Sequence, residues 1–120
     1  MTPFGKILRH VVETTPGAVG GSFAAADGEM VDSYSEGDPE HWAIVTAHYG
    51  VVLRHLESAF DTWHFGGPTY FIAQHEQLDV VVHTVAAGYF ALLACRKPAP
   101  LARALAALSE AAELLAKEMA

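Results

Sequence analysis

Three runs rich in β-branched and aromatic residues, "TYFIAQ" (69–74), "LDVVVHTV" (78–85) and "YFALLAC" (89–95), follow one another with three residues between neighbours. Connections that short are turns, and they make the runs consecutive antiparallel strands. A sheet of this kind has faces to cover, and the rest of the chain is patterned to cover them.

Upstream, "GAVGGSFAAADGEMVDSY" holds an Asp27-Gly28 pair, which predicts a tight hairpin whose two central residues both take positive φ. Its first strand carries Gly20, Gly21 and Ala24 to Ala26, side chains small enough for a helix to approach closely. Phe4, Ile7, Leu8, Val11 and Val12 recur at three-and-four spacing behind Thr2 and Pro3, a capped first helix over residues 2–14 that ends at "TTPG". Asp38 followed by Pro39 starts a second helix, expected to run to Phe60 or Asp61 before "HFGGP" breaks it. Leu101, Leu105, Leu108, Ala112, Leu115 and Met119 form the apolar stripe of a closing helix over 99–119. The order is α-β-β-α-β-β-β-α. It predicts an α+β fold, one five-stranded antiparallel sheet with helices on both faces, and residues 1–120 read as a single domain.

Fourteen acidic residues against seven basic ones give a net charge of −7, and the basic residues are scattered. Such a surface repels phosphate backbones and anionic lipid, so neither nucleic acid nor membrane is an expected partner. Cys95 is the only cysteine, "MTPFGKILRH" has no secretion-signal pattern, and the apolar run "VVVHTVAAGYFALLAC" falls short of a membrane span. The expected compartment is the cytoplasm.

His41, His48 and His55 repeat every seventh residue, nearly in line on the second helix, with steps of ~10.5 Å along its axis. Zinc–nitrogen bonds of ~2.1 Å cannot span that step, so one ion cannot join neighbours in the series, and no metal or other cofactor is expected. No serine lies in a nucleophile elbow, and Cys95 sits inside an apolar strand where inert thiols are the rule. The chain is therefore not expected to be an enzyme.

The second helix holds the functional signal. Trp42, Val45, Tyr49, Val52, Leu53, Leu56 and Phe60 project to one continuous face suited to lying on the sheet. Beside it run the histidines, then Ile44 and Val51, then the small residues Ala43, Ala47 and Gly50, which would let a second helix come close. Between residues 41 and 60 only Arg54 and Glu57 carry a full charge. A helix covering a monomeric sheet should have a charged outer side, so this one is expected to touch something on both sides. On this phase Val51→Glu should spare the fold while Val52→Glu should damage it. The bland alternative is a half-exposed surface helix with scattered apolar residues.

The order of elements, the "GA" ahead of an Asp-Gly hairpin, and "GYFALLAC" leading into the last helix resemble the Roadblock/dynein light chain family over nearly the whole chain. The junction "RKPAPLAR" departs from the family's glycine-containing approach to the final helix. The resemblance implies a roadblock/profilin-like fold and a homodimer in which the middle helices pack together. It also implies that the third strands, here Thr69, Tyr70, Phe71, Ile72 and Ala73, meet edge to edge. Bacterial relatives accompany small Ras-like GTPases and modulate their nucleotide cycle without catalytic residues of their own. The implied surface is Ile44, His48, Val51 and His55, to which helix composition adds Ala43, Ala47, Gly50 and Arg54. Rival readings are a small-molecule sensor with Trp42, Tyr49, Phe71 and His83 lining a pocket, and a structural subunit of a larger assembly.

Overall fold

The computed structural model describes all 120 residues. Its elements are α1 (Pro3–Thr14), β1 (Ala18–Ala25), β2 (Met30–Ser35), α2 (Pro39–Asp61), β3 (Tyr70–Gln74), β4 (Leu78–Ala86), β5 (Tyr89–Arg96) and α3 (Leu101–Met119). The strands form one antiparallel sheet in the order β2-β1-β5-β4-β3, which leaves β2 and β3 as its edges.

Local chemistry sets the helix starts. Thr2 Oγ1 accepts from the Gly5 amide at 3.0 Å, and Asp38 Oδ1 accepts from the Glu40 amide at 3.0 Å, each ahead of a proline in the first turn. Both side chains satisfy amides that have no partner inside the helix. The β1–β2 connection differs from the expected two-residue turn. The Ala25 amide donates to Glu29 O and the Gly28 amide donates to Ala25 O, both at 2.9 Å, closing a three-residue loop of Ala26, Asp27 and Gly28. Of these only Gly28 is left-handed, with φ of 95°. The side chain of Asp27 accepts from the Glu29 amide, so its role is to brace the turn. Thr69 falls one residue outside β3 yet is held to the sheet, its carbonyl accepting from the Thr84 amide at 2.9 Å.

Helices cover both faces. On one side α1 and α3 enclose Leu8, Val11, Phe23, Val81, Leu93, Leu108 and Leu115; on the other α2 meets Ala24, Val80, Val82, Phe90 and Leu92 through Trp42 and Leu53. The small residues of β1 permit both approaches. A Cβ on Gly20 would lie 2.9 Å from the Trp42 ring, and one on Gly21 would lie 3.2 Å from Val12 Cγ2. α2 rests chiefly over β1 and β2, toward one side of the sheet. That offset leaves the flank of α2 facing β3 thinly covered.

Candidate interaction surface

α2 sits on the sheet through Trp42, Thr46, Gly50 and Leu53, all buried. Trp42 Nε1 donates to Gly21 O at 3.3 Å. Thr46 Oγ1 is 2.9 Å from both the Trp42 carbonyl and Ser22 Oγ, so two fully buried hydroxyls satisfy each other and the backbone. A Cβ on Gly50 would meet Ala26 O at 3.2 Å and the Phe90 ring at 3.3 Å, and an added Cβ on Gly28 would meet Ala47 Cβ at 3.3 Å.

These contacts revise the expected phase. Gly50, placed among the outward residues, is part of the inward line, and Ala43 and Ala47 are half-buried. The small stripe fits this chain's own β1–β2 hairpin. Val52 and Phe60, placed on the sheet-facing side, are exposed, Val52 at 42%, the same as Val51.

Ile44, His48, Val51, Arg54 and His55 are exposed as expected. Ile44, at 55%, is the most exposed of the large apolar side chains on α2. Joined by Val52, His41 and Ala59, they form an outer arc whose only full charges are Glu40 and Arg54 at its margin. The arc continues through half-buried Val45, Tyr49 and Leu56 toward the sheet edge. Tyr49 stacks on Phe71 of β3 with ring centroids 6.4 Å apart, and its hydroxyl contacts His75 Nε2. Burial raises the Tyr49 pKa above its ordinary value, keeping the phenol protonated as a donor. β3 then presents its outer backbone edge with no strand beside it, and Tyr70 is exposed there. Charge-poor helix and open edge are thus one surface.

Of the residues proposed for a sensor pocket, Tyr49 and Phe71 touch, but His83 lies on the opposite face of the sheet, so the four do not line one cavity. His83 pairs across strands with Tyr70 and Ala91 on the α1/α3 face, whereas Trp42 and Phe71 belong to the α2 face. Two clefts exist elsewhere. One of about 350 Å³ lies between the end of α2 and the β4–β5 turn, around Glu57 and Ala87; the other, of about 310 Å³, lies between α1 and α3, around His10 and Glu110. No three His, Cys, Asp or Glu side chains converge in a way that could hold a metal ion, and no helix is long and apolar enough to cross a membrane.

Cys95 is fully buried, and burial, with the nearby Asp79 charge, pushes its thiol from an ordinary 9.0 up to about 11. A maleimide at pH 7.5 should therefore label the native protein very slowly and the urea-unfolded protein rapidly. Because the folded state holds this proton more tightly, the associated stability is intact below about 9 and declines as pH rises toward 11. Rapid labelling of native protein would show that β5 opens readily.

No family model and no curated protein matches the chain. Solved structures do. A Roadblock/LC7 domain from Streptomyces avermitilis superposes with a TM-score of 0.88 at 13% identity, covering 95% of each chain. MglB of Myxococcus xanthus gives 0.89 at 8% identity, covering 99% of this chain and 96% of that one. An MglB with a tetrameric arrangement gives 0.85 at 16% identity, covering 93% and 84%. At such identities the shared property is the arrangement of elements, here matched from α1 through α3. The chain has the Roadblock/LC7 fold.

Proposed function

We propose that the chain is a non-catalytic scaffold that pairs with a second copy of itself and binds a small Ras-like GTPase in the cytoplasm, modulating its nucleotide cycle. The observation that carries this reading is the outer arc of α2. Ile44, His48, Val51, Val52 and His55 are exposed without a full charge among them, beside an open β3 edge. Exposed apolar surface rimmed by polar residues marks a site of association, and an open strand edge is a template for pairing. Edge pairing would satisfy the free amides and carbonyls of β3 while the two α2 arcs bury each other. The likeness to MglB structures, one of them with a tetrameric arrangement, supports an assembling protein of this kind. The GTPase would meet what the paired helices leave exposed, and no residue of this chain is assigned to bond chemistry.

The test has two stages. Light scattering on purified protein is expected to give twice the 12.8 kDa chain mass. Immobilised dimer is then expected to retain a Ras-like GTPase from the same genome in a manner that depends on whether GDP or a non-hydrolysable GTP analogue is loaded. A monomer that retains no GTPase in either state overturns the proposal. Retention indifferent to nucleotide would favour a structural subunit.

A further inference from the structure

The α2–β3 connection exposes Trp63 at 70% and Phe65 at 80%, more than any other large apolar side chain in the chain. They are not on a slack loop. The Phe65 amide donates to Phe60 O at 3.3 Å and the His64 amide to Asp61 O at 2.9 Å, with His64 at φ of 60°. This is the Schellman closure of a helix, whose left-handed position normally holds glycine; a side chain there costs roughly 1 kcal/mol. In that motif the residue after the left-handed one usually folds back onto the helix, but Phe65 remains in solvent. A defined backbone thus holds two aromatic rings away from their own core.

The directions of α2 and β3 indicate where a second copy would put them. Tyr49 lies against Phe71 and His75, and a Cβ on Gly67 would sit 2.8 Å from Glu57 Cγ, so α2 runs antiparallel to β3. Ile72, the middle of β3, lies between the two residues that touch Tyr49 and is then level with the middle of α2 around Tyr49. A two-fold axis that pairs β3 with its copy passes near the middle of α2 and lays the two α2 helices side by side in opposite directions. The end of one helix therefore meets the beginning of the other. The beginning offers His41 and the strongly exposed Ile44, with Glu40 as its only charge on that side.

We propose that Trp63 and Phe65 of each protomer pack over the first turns of the partner copy's α2, against Ile44 and His41, so that two reciprocal aromatic clamps flank the two-fold axis. This rests on the β3-paired dimer proposed above. A lipid surface is the poorer occupant, since a chain of net charge −7 is repelled by anionic membranes.

The test uses the full chain carrying Ile44→Cys with Phe65→Cys. Ile44 and the end of α2 at Asp61 are separated by roughly 25 Å along the helix, beyond a short bismaleimide, so bridging must occur between chains. Native Cys95 is buried and does not compete. The expected result is near-complete cross-linking to a covalent dimer at a concentration where light scattering gives a dimer, with neither single-cysteine variant cross-linking. In a Trp42→Phe background, Trp63 emission should shift to the blue and resist acrylamide as concentration drives dimerisation. A dimer by scattering that neither cross-links nor protects Trp63 overturns the clamp while leaving the β3-paired dimer standing; a parent chain that is monomeric overturns both. Trp63 emission that responds to neutral phospholipid vesicles and not to protein concentration also overturns the clamp, in favour of a membrane.

Discussion

Leu53→Asp is expected to leave no cooperatively folded protein at 25 °C. Leu53 is 2% exposed and bears on the same cluster as Trp42, Val80, Val82, Phe90 and Leu92. Emptying such a site to alanine alone costs about 2–5 kcal/mol, and a carboxylate there has no partner with which to offset desolvation. Domains of this size hold about 5–15 kcal/mol in total, so the substitution removes most or all of it. Far-UV circular dichroism through a urea titration reads the outcome. Arg54→Asp, one position round the helix and exposed, should shift the urea transition by less than about 0.5 kcal/mol. A normal transition for Leu53→Asp would mean that α2 does not bear on the sheet through this residue.

The contrast between neighbouring positions is where the sequence and the structure part. Helix starts were legible because their chemistry is local: Thr2-Pro3 and Asp38-Pro39 act within one turn, whatever the rest of the chain does. The strand order from β3 to β5 was legible for a related reason, since short turns leave antiparallel neighbours as the only arrangement. The rotation of α2 was not. Its apolar residues spread over two adjoining arcs, one against the sheet and one facing outward, and the centre of a hydrophobic pattern falls between two such arcs. The line that touches the sheet includes Thr46 and Gly50, which score as polar or neutral and are there because Ser22 supplies a hydroxyl and Phe90 leaves no room for a side chain. The pattern therefore placed Val52 and Phe60 inward and Gly50 outward. The aromatic tip at Trp63 and Phe65 left even less trace, because the glycines of "HFGGP" come after the left-handed position that closes α2, which His64 fills instead, while Gly66 takes its own positive φ further on.

With the rotation corrected, Val51→Glu and Val52→Glu become a matched pair. Both valines are 42% exposed, so in a monomer a carboxylate at either position reaches water and the urea transition should move by less than about 0.5 kcal/mol. In the proposed dimer each lies close to the two-fold axis, so one substitution places two like charges face to face in a seam that otherwise excludes water. Breaking the neutrality of a buried contact in this way costs about 3 kcal/mol or more, which corresponds to at least a 100-fold rise in the dimer dissociation constant. Sedimentation over a dilution series should show both variants as folded monomers at concentrations where the parent chain is a dimer, and nucleotide-dependent GTPase retention should fall with them. A Val52→Glu chain that unfolds while Val51→Glu stays intact would restore the phase suggested by periodicity alone. Dimers that survive both substitutions would move the contact off α2 altogether, leaving the β3 edge to hold the pair unaided.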